Sequence, residues 1–154
     1  LVRYPVLHYE VVTRELREHE FPIAEEIWTR YHGLKTDRAT DRLFATFADG
    51  VPAGVARCRR HPDGLEVDGV FVLKDFRNRG YARRLMAALV AACGNEPLYM
   101  HSTLKLVPFY HTFGFELIPE SELPSTIRER YGFAMGELRD ADVQPMRRNA
   151  GLSG

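Results

Sequence analysis

Val70-Phe71-Val72-Leu73-Lys74-Asp75-Phe76-Arg77-Asn78-Arg79-Gly80-Tyr81-Ala82 is the stretch whose reading decides the fold. Its opening apolar run reads as a buried strand, and its end opens a helix. The turn between them is basic: Lys74, Arg77 and Arg79, followed by Arg83 and Arg84, stand against Asp75 alone. The first amides of a helix have no internal acceptor, and its dipole places roughly half a positive charge there. Gly80 has no Cβ, so a bound group can approach the backbone, and Ala82 keeps the first turn lean. Such a site suits a phosphate or pyrophosphate. A plain helix start with a solvated basic face gives the same short pattern.

Working outward, Leu85, Met86, Leu89, Val90 and Cys93 share one face of that helix. Gly94-Asn95 closes it, and a short strand follows at 97–101. Strand, helix and strand over 65–101 must then form a right-handed crossover joining parallel strands. Upstream, residues 41–60 read as a hairpin around Asp49-Gly50, and His61-Pro62-Asp63-Gly64 turns into the strand at 65–73. These three strands make an antiparallel meander. The pattern predicts a first strand at 6–12 and a helix at 21–31 opened by Pro22. It further predicts a short helix at 104–113, a strand at 115–118, a helix at 125–138, a strand at 141–147 and a frayed tail at 148–154. The fold class is therefore α/β (α+β): one domain over 1–154, a mixed, mostly antiparallel sheet with helices on both faces.

The chain has 154 residues, 21 basic and 21 acidic, so its formal net charge is zero. Balanced charge argues against nucleic acid as a partner. No apolar run approaches the ~20 residues of a membrane span, and the first twenty residues lack the apolar block of a signal peptide. The expectation is a cytoplasmic protein with no membrane partner. Cys58 and Cys93 read as buried or inert thiols of a reducing compartment, with a disulfide or a reactive thiol as the alternative. The histidines at 8, 19, 32, 61, 101 and 111 show no ligand spacing, so no metal is expected.

Arg77-x-x-Gly80-x-Ala82 after a Val-x-Val strand resembles the signature of the GNAT N-acetyltransferase superfamily. Phe109-Tyr110-His111-Thr112-Phe113-Gly114-Phe115 resembles that family's second motif, a Tyr four residues before a Gly-Phe pair. Both occur in the family's order with one helix and one strand between them, and the resemblance is strongest over 65–116. It implies acetyl-CoA as co-substrate and transfer of its acetyl group to an amine within a ternary complex. The amides of Arg77, Asn78, Arg79, Gly80, Tyr81 and Ala82 would hold the pyrophosphate. Val70, Phe71 and Val72 would run beside the pantetheine arm, exposed where their strand splays from the one at 97–101. An amide near Val72 would polarise the thioester carbonyl, and Tyr110 would protonate the leaving thiolate. Arg83 or Arg84 would meet the 3′-phosphate. Two positions depart from the family: Lys74 stands where a Pro is common, and Thr103, beside Ser102, where an Asn is common.

An ammonium must lose a proton before it attacks. Glu66 lies at an offset where some relatives keep a catalytic Glu, with Asp68 on the same strand face. These two are the candidate bases, and His101 is a third. Exposed strand carboxylates would show the same spacing. Trp28, Tyr31 and His32 lie on or after the first helix, which borders the acceptor site in this family; Trp28 fits a core position equally well. The acceptor would be a small-molecule or peptide amine, and the protein a monomer or homodimer. A non-catalytic acyl-CoA-binding regulatory module is the competing reading.

Overall fold

The structure, a computed structural model, describes residues 10–130 and 142–151. Its seven strands are β1 (Val11–Glu15), β2 (Asp41–Ala48), β3 (Val51–His61), β4 (Gly64–Val72), β5 (Leu98–Thr103), β6 (Phe115–Leu117) and β7 (Val143–Arg148). They form one sheet in the order β1-β2-β3-β4-β5-β7-β6. The helices are α1 (Phe21–Trp28), α2 (Tyr81–Cys93) and α3 (Val107–His111), and residues 125–130 are helical as well. The meander β1–β4 is antiparallel, β4 and β5 are parallel, and β7 lies antiparallel between β5 and β6.

Period-two alternation sorts the sheet's side chains to two faces. Phe44, Ala56, Cys58, Leu65, Val67, Leu98 and Met100 pack with Leu85, Met86 and Leu89 of α2. Leu43, Ala45 and Val55, on the opposite face, pack with Phe21, Ala24, Ile27 and Trp28 of α1. Helices thus cover both faces, as the patterning requires.

The meander's first turn is built as the sequence reads. Asp49 and Gly50 sit at φ 50° and 77°, the left-handed pair that a two-residue hairpin needs. The edges differ more. The expected strand at 6–12 falls mostly outside the described residues, and β1 runs later. Its position is set by pairing with β2, Thr13 opposite Thr46, rather than by its own weak alternation. α1 ends at Trp28, and the chain turns over residues 29–33, with His32 and Gly33 both at positive φ. The segment at 104–113 divides into a 3-10 turn (Leu104–Leu106) and α3, because Pro108 has no N–H and fits only a helix's first turn. Residue 148 is no tail: Arg148 ends β7, is 1% exposed, and donates to Phe113 O at 2.8 Å. The rest of the helix expected at 125–138 lies outside the described residues.

Candidate active site

The parallel pair β4–β5 is short. Leu65, Glu66 and Val67 pair with Leu98, Tyr99 and Met100, and there the ladder stops. β4 continues along β3 to Val72 and β5 along β7 to Thr103, so the two strands part beyond Val67 and Met100. A bulge accompanies the parting. The β3–β4 register jumps from Arg57↔Asp68 to Val55↔Phe71, so Gly69 and Val70 together span one partner, Ala56. Gly69 adopts φ 63°, and its carbonyl accepts from Trp28 Nε1 at 2.9 Å. Trp28 is fully buried, so it is the pin of this bulge and not a lining of the acceptor site.

Backbone direction past the bulge follows from one bond. Leu73 N donates to Ala53 O across the β3 ladder. Neighbouring residues turn their N–H and C=O to opposite sides, so Phe71 also faces β3 while Val72 faces the splay. Val72 O there accepts from Arg77 Nε at 3.0 Å. The Arg77 guanidinium lies 5.4 Å from the centroid of the Phe71 ring, folding the basic turn back on the strand.

The turn leads into α2 through two left-handed residues, Asn78 at φ 64° and Gly80 at 79°. The first helical bond of α2 runs from Arg84 N to Gly80 O, which leaves the amides of residues 81–83 without intrahelical acceptors. A Cβ built on Gly80 meets nothing within 4 Å, so the space beside Gly80 itself is open. Asn78, Arg79 and Gly80 are exposed. Tyr81 is buried against Ala48 and Ala53, so only its backbone faces the turn. Arg83 leans on Phe109 and Phe113 and donates to Thr112 Oγ1, joining α2 to α3.

Tyr110 comes from α3 into the core cluster that also holds Val67 and Met100. It is 5% exposed, and burial, with the nearby Tyr31 phenol, holds its proton on far above the ordinary phenol range. Tyr31 stacks on Phe71 with ring centroids 4.9 Å apart. Burial and the Asp68 charge raise its pKa too. Tyr31 thus covers the strand at Phe71, while His32 packs its ring beside Tyr31 at the surface.

Glu66 and Asp68 project to the α1 face into a dense ionic network that the sequence reading does not foresee. Glu66 is 2% exposed. Its Oε1 is 2.8 Å from His61 Nε2 and 3.2 Å from Arg130 Nε; its Oε2 is 3.8 Å from His101 Nδ1. Burial pushes its pKa up, but the His61 hydrogen bond and the charge of Arg130 outweigh this and hold it below the ordinary range. Asp68 accepts both Nε and NH2 of Arg57 at 2.7 Å, and NH2 of Arg130 at 3.2 Å. Arg57 is 1% exposed, lies 5.1 Å from the Trp28 ring, and is 3.5 Å from Asp41, which Arg59 grips at 2.7 Å. The sequence does carry a signal for this lattice: Arg57 and Arg59 at period two opposite Asp68 and Glu66 at the same period. Arg130 has no such signal. It arrives because Asp63 caps the turn at Ser125 and Thr126, fixing the start of that helix over Gly64.

His101 is the first residue of β5 past the last β4–β5 pair, on the Glu66 face. Burial lowers its pKa from the ordinary imidazole range, with the Glu66 charge opposing, which favours the neutral imidazole. Ser102 is buried and donates to Thr103 O, and Thr103 is half-buried at the end of β5. Among the described residues, no three His, Cys, Asp or Glu side chains are placed to hold a metal ion, and no helix is long and apolar enough to cross a membrane.

A splayed parallel pair beside a glycine-opened helix finds its counterpart in a family model. Residues 18–126 match the acetyltransferase (GNAT) domain. The chain belongs to the GNAT acetyltransferase family. Similar solved structures carry the same fold. One is N-acetylglutamate synthase from Neisseria gonorrhoeae complexed with coenzyme A and N-acetyl-glutamate, 20% identical, TM-score 0.69. The match covers 92% of this chain and 35% of that one, so this GNAT chain spans about a third of that enzyme. Another is the ribosomal-protein-S18-alanine N-acetyltransferase from Escherichia coli, 17% identical, TM-score 0.65, covering 94% and 96% of the two chains. A third is Rv2747 from Mycobacterium tuberculosis in complex with CoA, 14% identical, TM-score 0.65, covering 90% and 98%. Among curated proteins none matches.

Proposed function

We propose that this GNAT domain transfers an acetyl group from acetyl-CoA to an amine by direct attack within a ternary complex. The observation that carries the reading is the parting of β4 from β5 beyond Val67 and Met100, together with the amides at the start of α2 that lack intrahelical acceptors. Acetyl-CoA supplies the acetyl group activated as a thioester. The amides over Arg77–Ala82 hold its pyrophosphate, favoured by the helix dipole. Val70 and Val72 lie along its arm, with Thr103 across the gap. The Val72 N–H, turned into the splay, donates to the thioester oxygen and stabilises charge developing there. Tyr110 delivers a proton to the departing sulfur.

Proton removal from the acceptor falls to Glu66 acting with His101. Glu66 is enclosed by His61, Arg130 and His101. A neutral His101 at the mouth of the splay takes the amine's proton, and the Glu66 charge stabilises the imidazolium that results. Asp68, gripped by Arg57, positions the network and Tyr31. The acceptor is a small-molecule or peptide amine entering from the α1 face, with no nucleic acid or metal involved. Both kinds of acceptor have a counterpart among the similar structures: one is a synthase complexed with N-acetyl-glutamate, the acetylated form of a small amine, and another is a ribosomal-protein-S18-alanine N-acetyltransferase.

The test is release of free thiol from acetyl-CoA across a panel of amino acids, diamines and short peptides. Acceptor-dependent release above the hydrolysis background supports transfer. CoA binding by calorimetry with no release from any acceptor favours the binding module instead.

A further inference from the structure

We propose that Cys58 and Cys93 form a thiol–disulfide exchange site, oxidised by a low-molecular-weight disulfide to a bond joining β3 to the end of α2. The site lies apart from the splay and does not rest on acetyl transfer.

Cys58 lies mid-strand in β3 and Cys93 is the last residue of α2, 35 positions apart in sequence. Both belong to one core cluster and both line a cavity of about 290 Å³. Its outer wall is polar and exposed, including Arg38, Arg60 and Asn95. Arg42 ties the two cysteines together independently. It stands directly opposite Cys58 in the β2–β3 ladder, and its NH1 donates to Ala92 O at 3.3 Å, one residue before Cys93. Both thiols are buried under the rim of this cavity, and the neighbouring Cys58 thiol and the charge of Arg42 outweigh burial to bring Cys93 below the ordinary thiol range. Cys58 is pushed up correspondingly, as the partner that keeps its proton.

A depressed thiol beside a protonated one is the arrangement that exchange requires, because the thiolate attacks and a second sulfur resolves. The Cys93 thiolate attacks one sulfur of a disulfide RSSR, forming Cys93–S–S–R and releasing RS⁻. Cys58 gives up its proton and attacks the Cys93 sulfur, forming the Cys58–Cys93 bond and releasing the second RS⁻. Two protein thiols are oxidised and one RSSR is reduced to two RSH. Closing a loop of this length stabilises the folded chain against unfolding.

Oxidised glutathione is the probe. The folded chain is incubated with it, acid-quenched, alkylated under denaturing conditions and weighed. The expected product has lost two hydrogens, takes up no alkylating reagent, and gives a peptide crosslink between Cys58 and Cys93. Cys58→Ser should instead accumulate glutathione on Cys93, because the resolving sulfur is gone. The wild-type result stands without the variant. Two thiols still fully alkylated after exposure that oxidises a small reference dithiol would overturn the proposal, as would a wild-type chain that stops at the mixed disulfide.

Discussion

Gly69→Ala tests the pin that sets the splay. A Cβ at this position lies 2.7 Å from Trp28 Cζ2 and 3.0 Å from both Cε2 and Nε1. Trp28 has nowhere to retreat: it is fully buried, bonded to Gly69 O, and backed by the Arg57 guanidinium. The backbone contributes separately, since a Cβ at positive φ costs about 1–2 kcal/mol. Overpacking a dense core costs about 1–3 kcal/mol more, for a total of about 2–5 kcal/mol. At about 2–4 °C per kcal/mol for a chain of this size, Tm should fall by about 4–20 °C. Urea unfolding followed by fluorescence of the single tryptophan measures the loss. Gly50→Ala is the control: its φ is 77° and a Cβ there meets nothing within 4 Å, so it reports the backbone cost alone. The difference between the two variants is the Trp28 overlap. Equal losses in both would refute the reasoning.

The site yields further expectations. Gly80→Ala should fold with only the positive-φ cost of about 1–2 kcal/mol, yet it places a Cβ where the proposed pyrophosphate site needs close approach to the backbone; calorimetry should show CoA affinity down by roughly tenfold or more. Tyr110→Phe should keep CoA affinity and lower kcat by about 10²-fold, near the low end for a general acid because a thiolate leaves readily; an unchanged kcat with chemistry limiting would leave Tyr110 a packing residue. Arg57→Met breaks a buried pairing with Asp68 and Asp41 and should cost about 3–5 kcal/mol in urea unfolding. For pH dependence, burial holds His101 below the ordinary imidazole range, and the His61 hydrogen bond and Arg130 hold Glu66 below the ordinary carboxylate range. A lowered pKa favours the proton-free base at neutral pH, and kcat/KM should fall on the acid side, at a pH below that at which a free imidazole titrates. His101→Gln should remove that limb, and its persistence unchanged would exclude His101.

How much of this was legible in the sequence varies by element. The hairpin at Asp49-Gly50, the crossover from β4 through α2 to β5 and the helix opening at Gly80 follow from local rules: positive-φ turn residues, one apolar helix face and the handedness of parallel connections. The first motif sits on those elements and the second on α3 and the turn into β6, so the family was legible too. The limits of β1 and α1 were not. An edge strand takes its register from its partner, and α1 stops where the turn at 29–33 sends the chain on toward β2.

Glu66 and Asp68 could be named from their positions in the chain, but their surroundings could not. Read from sequence, they are equally well two exposed strand carboxylates. The fold buries Glu66 and encloses it with His61 from its own hairpin, His101 from a parallel strand 35 residues on, and Arg130 from a helix capped by Asp63. Periodicity fixes which face of a strand a side chain takes, because that is a property of the backbone's own repeat. Which charges meet on that face depends on strands and helices brought together from distant positions. The depressed pKa values of Glu66 and His101 are sums over those neighbours and over the water excluded by packing, and both exist only once the chain has folded.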